Sequence, residues 1–284
     1  MSINISAGPS GELRYPAYNQ HDEFSYPGRG FLQSYSDLAI DDFADFAKEK
    51  YGSLRELNSV WNTQLKCWGE IRPPDDADGF FQRKDYLNTQ YGRDFSEWYN
   101  RALIEHGEFM ITLAVEALGD RFPGTPLGIK IPGVHWLMGS PELPRAAEVT
   151  TGLIPTNIDI GSDETAHGYG PIIDMVKRSN GGERPVVLHF TCLEMENKNQ
   201  APEYSQARDL VFWVGNGAGS RAVSIMGENA LSGGITYDGG WDNIDNAVRW
   251  SAYKGLTTLR VGDLDANGGL GFRRYQQLIN EFKP

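Results

Sequence analysis

Short apolar runs, separated by longer stretches of helical periodicity, recur through this sequence. Five of them, Ile3–Ser6, Leu127–Ile131, Val186–Thr191, Ala222–Met226 and Thr257–Val261, lack strict alternation of apolar and polar positions. That is the pattern of strands buried on both faces of a parallel sheet. Between them the spacing predicts helices. Ser36–Lys50 sets Ile40, Phe43, Phe46 and Ala47 on one face. Ser53, with Glu56 three residues on, is a capping-box pattern opening a helix through Leu57 and Val60. A longer helix is predicted from Phe95 to Leu118, stopping at Gly119 because glycine tolerates the left-handed cap. Ile172–Lys177, Gln206–Val214, Asn243–Lys254 and Phe272–Phe282 complete the set. "RPPDDADG" and "PTNIDIGSDETAHGYGP" read as loops rather than domain linkers.

Strand alternating with helix means βα units, in a doubly wound sheet or a barrel. At 284 residues and 40% hydrophobic the chain can bury the core of one large α/β domain. "GNGAGS" at 215–220 is not the dinucleotide fingerprint, and no Gly-Lys-Ser/Thr follows a glycine loop, which lowers the nucleotide-binding option. A net charge of −12 argues against nucleic acid or an anionic membrane surface as partner. A neutral polysaccharide is compatible with it, and seven Trp and thirteen Tyr could supply faces for sugar stacking. Cys67 and Cys192 make no disulfide framework and no metal-ligand spacing, so no metal is expected. No run approaches the roughly 18 apolar residues of a membrane span. "MSINISAGPSG" has neither basic nor apolar region, so no signal peptide is visible and the compartment stays open.

Barrel active sites are built at the C-terminal ends of the strands, and every strand-like run here is followed by polar or charged groups. Glu12 follows the first; Lys130, His135 and Trp136 close the second; Thr191 and Glu194 the third; Glu228 and Asn229 the fourth; Arg260 and Asp263 the fifth. Two glutamates on separate strands, Glu12 and Glu228, offer the paired carboxyls that glycoside cleavage needs, one protonated and one ionised. Lys130 or Arg260 could hold one of them ionised, while partial burial raises the other. Trp136 could stack on a pyranose, and Thr191 and Asn229 could bond hydroxyls. Glu194 reads equally well as a solvated loop residue, and Asp22, Glu23, Asp41, Asp42 and Asp45 as a solvated acidic surface.

"SAGPSGELRYPAY", "YPGRGFLQSY", "KYGSLRELNSVWNT", "GIKIPGVHW", "FTCLEM", "GENAL" and "TTLR" follow one another in that order. Together they closely resemble the beta-amylase family, particularly its bacterial members, from about Ile3 to the C-terminus. The resemblance implies a (β/α)8 TIM barrel that releases β-maltose from the non-reducing ends of α-1,4-glucans, with inversion and without a cofactor or metal. By motif, Glu12 of "GELRYP" would be the proton donor and Glu228 of "GENAL" the general base. Lys130, His135, Trp136, Thr191, Asn229, Ala230 and Arg260 would contact substrate. In the family the acid ends the fourth barrel strand. The five runs would then be strands four to eight of a single barrel domain, 1–284, that lacks its first three βα units, and another chain would cover the open edges. The loop from Leu153 to Gly170 looks longer than the family pattern, which would alter outer-subsite specificity. Two other functions fit parts of the pattern: a retaining β-glycosidase, since such enzymes also place glutamates after strands four and seven, and a non-catalytic glucan-binding remnant.

Overall fold

The computed structural model describes residues 2–18, 25–180, 182 and 184–282, so Asp22 and Glu23 lie outside the described residues. Five parallel strands form one sheet in sequence order: β1 (Ile3–Asn4), β2 (Leu127–Ile131), β3 (Val186–Phe190), β4 (Ile225–Glu228) and β5 (Tyr253–Thr257). A sheet whose neighbours follow chain order, each pair joined through helices, is the βα progression of a barrel wall. Among the described residues β1 and β5 each have a strand on one side only. The helices are α1 (Asp37–Tyr51), α2 (Leu54–Trp61), α3 (Ala77–Gln82), α4 (Asp85–Asn88), α5 (Gln90–Leu118), α6 (Ala146–Thr150), α7 (Gly170–Ser179), α8 (Ala207–Ser220), α9 (Asp238–Trp250) and α10 (Ala266–Glu281). None is long and apolar enough to cross a membrane, among the described residues.

Two strands sit differently from the sequence pattern. β4 starts three residues after Ala222, because Ala222 takes a left-handed turn (φ 58°) as the chain leaves α8, and it runs on through Glu228. β5 lies four residues ahead of the apolar run at Thr257–Val261. Tyr253 is buried with its hydroxyl on the Val211 carbonyl at 2.8 Å, and Arg260, at φ 57°, turns the chain out of extended backbone. "RPPDDADG" contains the start of α3, capped by Asp76 through Gly79 N–H. Short α4 and α6 carry too few turns for a periodic signal.

The predicted caps are in place. Ser36 accepts from Ala39 N–H and Ser53 from Glu56 N–H, and α5 ends on Gly119. The helices α1 and α2 are tied to α5 by one carboxylate. Asp94, on α5 and fully buried, accepts from Lys50 Nζ at 2.9 Å, Trp61 Nε1 at 2.6 Å, Gln90 Nε2 at 2.8 Å and the Tyr51 hydroxyl. The acidic positions of α1 are largely solvated: Asp41, Asp42 and Asp45 are exposed. Asp42 has a second task, accepting the Trp98 indole N–H at 2.6 Å.

At the opposite end of the sheet, buried Arg184 donates to four carbonyls, those of Gly119, Arg121, Phe122 and Thr125. One guanidinium therefore satisfies the turn that carries α5 into β2.

Candidate active site

Parallel pairing fixes which side chains share a face. Lys130 of β2 is opposite His189 of β3, and His189 is opposite Met226 of β4. Residues two further along a strand point the same way, so Lys130, Thr191 and Glu228 stand on one face at its C-terminal end. Glu12 joins them by a detour. After Asn4 the chain leaves the ladder, turns through Pro9–Gly11 and returns at a single parallel bridge between Glu12 and Lys130. Leu13 N–H then bonds the Lys130 carbonyl at 2.7 Å. The turn needs glycine at position 8, where a Cβ would lie 2.5 Å from the Glu12 carbonyl oxygen. Strand alternation does the rest: Leu13 is buried toward Gly107 of α5, and Glu12 faces the other way.

That face lines a cavity of about 680 Å³. Glu12, Lys130, His135, Trp136, Thr191, Glu228, Ala230 and Arg260 of the predicted set all border it, together with Tyr18, Tyr26 and Lys198. No lining residue comes from the 153–170 loop, so the expectation that this loop alters outer subsites finds no contact at this cavity among the described residues. The loop is instead held from behind, with Arg145 donating to the Ile160 and His167 carbonyls at 2.9 and 2.8 Å.

The two glutamates have different environments. Glu228 is buried and paired with Lys130 Nζ at 2.8 Å. Glu12 accepts from Arg14 Nε at 3.0 Å, and the Arg14 guanidinium lies over the Tyr18 ring at 4.4 Å. Burial pushes the Glu12 carboxyl up from its ordinary value, an effect that Arg14 and Lys130 only partly offset. One carboxyl thus sits beside an ammonium, and the other is held toward its protonated form. Such unlike surroundings suit a base and an acid.

Around them, Trp136 donates its indole N–H to the Gly28 carbonyl at 2.7 Å and meets Tyr18 and Tyr26 edge-on, at ring separations of 4.8 and 5.2 Å. His135 is held by the Ser205 hydroxyl at Nδ1, 2.8 Å away, and burial drives its pKa down to about 4, so it presents a neutral ring. Tyr26 and Lys198 carried no signal in the sequence beyond being polar loop residues. His189, in the apolar run of β3, is also pushed down to about 4 by burial, then by Lys130, and meets the Ser2 hydroxyl at 3.1 Å. Only the ladder register reveals that it neighbours Lys130.

Two predicted roles look different in place. Asn229 is fully buried and does not border the cavity; its Oδ1 accepts from Leu259 N–H at 2.7 Å and its Nδ2 donates to the Leu231 carbonyl at 3.3 Å. Its carboxamide is therefore engaged by backbone and not turned to a ligand. Glu194 is not a solvated loop residue: it is buried, and its carboxylate accepts from the Ala230 and Leu231 N–H groups. Arg260, exposed at the rim, donates to the Ala230 carbonyl at 3.0 Å.

Residues 1–283 match the family model described as glycosyl hydrolase family 14. The chain belongs to that family. It is 36% identical to a beta-amylase of Cytobacillus firmus over 99% of its own length and 56% of that protein's, and 37% identical to a thermophilic beta-amylase of Thermoanaerobacterium thermosulfurigenes over 94% and 45%. The crystal structure of the catalytic domain of beta-amylase from Paenibacillus polymyxa superposes with a TM-score of 0.84 at 36% identity, covering all of this chain and 64% of that one. The family 14 chain thus spans about half the length of these relatives, and its parallel five-stranded sheet corresponds to part of a TIM-barrel catalytic domain.

Proposed function

We propose that this family 14 chain carries both reacting carboxyl groups of an inverting α-1,4-glucan hydrolase that releases β-maltose. One observation carries the reading: Glu12 and Glu228 border a single cavity at the C-terminal end of one sheet, with Lys130 bridged to the first by backbone and paired to the second by charge. Glu12, kept toward its protonated form, gives its proton to the glycosidic oxygen. Glu228 draws a proton from a water that attacks the anomeric carbon from the opposite face. Trp136, His135, Thr191 and Arg260 offer an aromatic surface and hydrogen-bonding groups around the sugar. Asn229 serves the same site from behind, through the backbone it holds. Family membership and the named relatives support this reading over a retaining β-glycosidase.

A partner follows from the sheet. Among the described residues its outer strands β1 and β5 each pair on one side only, and Trp250, at the end of α9 beside β5, is 73% exposed. We propose that further polypeptide covers those edges in the active form, since bare edges invite association and a displacement of about 1 Å at reacting groups can cost a hundredfold in rate.

Proton NMR of the anomeric signals during incubation with maltopentaose tests the assignment. Fresh β-maltose is the expected product. Product appearing first in the α configuration would point to retention and sink the mechanism. Binding without any product, from folded protein with its edges covered, would leave only a glucan-binding role.

The pH profile tests the acid. A carboxyl raised by burial keeps its proton to higher pH than an exposed glutamate, so the alkaline limb of kcat/KM should lie above the ordinary carboxyl range. Arg14 favours the charged form of Glu12; removing that influence in Arg14→Met should move the limb further up. A limb that stays put, or moves down, would take the acid role from Glu12.

A further inference from the structure

The segment that follows the base is held from the exits of the two neighbouring strands, β3 and β5. Glu228 ends β4, and its carbonyl accepts from Leu193 N–H at 3.2 Å. Asn229 is fixed by Leu259 N–H and the Leu231 carbonyl. The next two N–H groups both converge on Glu194: Leu231 at 2.7 Å from Oε1, and Ala230 at 3.0 Å from each carboxylate oxygen. Ala230 and Leu231 border the cavity, and Glu194 is itself packed tightly. A Cβ added to Gly234 would lie 2.1 Å from Glu194 Cγ, and the Glu194 carbonyl is itself held by Asn243 Nδ2 at 3.1 Å.

Two consecutive backbone donors converge on a carboxylate that is only 1% exposed, so the acceptor of this anchor is shielded from water. Hydrogen bonds to a charged group are stronger than neutral ones.

We infer that Glu194 is a positioning residue: its carboxylate clamps Ala230 and Leu231, fixes the chain leaving β4, and thereby holds Glu228 on Lys130 at the angle its proton transfer needs. This inference rests on Glu228 being the base; Glu194 lies 34 residues before it, on the exit of a different strand, β3. Its effect is on geometry, so it belongs to the rate and not to the affinity for glucan.

Glu194→Met, which keeps bulk and removes both acceptors, and Glu194→Gln, which keeps one, separate the possibilities. Amide hydrogen exchange of Ala230 and Leu231 reads the clamp directly, whether or not turnover is measured. In the Met variant it should quicken by about tenfold or more, with the amides of β3 and β4 unchanged. In the edge-covered protein, kcat on maltopentaose should fall by about a hundredfold with KM within about threefold. The Gln variant should recover most of both, which a loss of packing alone would not produce. If the Met variant does not fold, the Gln variant carries the test through its smaller residual effect. Ala230, which loses one of its two acceptor oxygens, should still exchange about twofold to threefold faster than in the parent while Leu231 keeps its acceptor. Unchanged exchange at both amides overturns the clamp. Released exchange with unchanged kcat overturns the positioning of Glu228. Failure of the base assignment is read separately, as turnover persisting in Glu228→Gln.

Discussion

Glu228→Gln is expected to leave a folded protein with turnover of maltopentaose lowered by about four orders of magnitude, the upper range for loss of a general base. The change is nearly isosteric, and it leaves the side chain on the sheet face that borders the cavity. What it removes is the group that can accept a proton from water. The Lys130 ammonium, 2.8 Å away, keeps a carbonyl oxygen to donate to, and at 17% side-chain exposure it also reaches solvent, so the fold should bear the substitution. Glucan binding should persist, because the groups proposed to contact hydroxyls and the Trp136 surface are untouched. Calorimetric titration with maltose would then show affinity near that of the unaltered protein beside an anomeric NMR spectrum with no product. Turnover within about tenfold of the parent would mean that another group activates the water. A variant that unfolds would place Glu228 in the structure's support, and Glu228→Asp, which keeps the charge and shortens the arm, would then separate charge from reach.

The site was legible in the sequence wherever a functional side chain ends a strand. Strand periodicity located β1, β2 and β3 closely, and in such a sheet the residue that follows the apolar run is delivered to the same end each time. Lys130, Thr191 and Glu228 are of this kind, whereas Glu12 reaches the same end only through the turn at Pro9–Gly11. β5 shows the limit. "TTLRV" is the more β-branched run, yet the ladder uses Tyr253–Thr257, because a buried tyrosine with a carbonyl for its hydroxyl outweighs local propensity. The supporting residues were not legible for a different reason. Asn229 follows Glu228 directly and so looks like a second ligand-binding group, but consecutive strand residues point to opposite faces, and its amide meets Leu259 and Leu231. Glu194 announces nothing locally, since its partners arrive from the next strand's exit. "KYGSLRELNSVWNT" gains its meaning only in space: Lys50, Tyr51 and Trp61 of that motif all reach one aspartate on α5.

That aspartate gives the largest stability effect expected in this chain. Asp94→Leu should lower the unfolding free energy by about 2–5 kcal/mol, since two donors lose their acceptor at about 1–3 kcal/mol each. The side chain is fully buried on α5 and receives four donors from three helices. Leucine fills comparable space but accepts nothing. The Trp61 indole N–H, itself buried, is then left without an acceptor, and so is the Tyr51 hydroxyl unless water enters. Lys50 suffers less, because it is 30% exposed and also paired with Glu97. For this reason the loss should come mainly from the two aromatic donors and not from the ion pair, whose exposed end is screened by water. A triangle of variants resolves the shares. Lys50→Met alone should cost about 1 kcal/mol. Trp61→Phe should cost less than Asp94→Leu, because it removes a donor together with its need, and in the Asp94→Leu background it should cost little more. Urea unfolding followed by circular dichroism reads each step, and Asp94→Leu should shift the melting temperature down by about 10 °C. A loss under about 1 kcal/mol would mean that α1 and α2 hold to α5 through their aromatic packing, Phe43 against Trp61, Phe95 and Trp98, with the carboxylate merely filling its place.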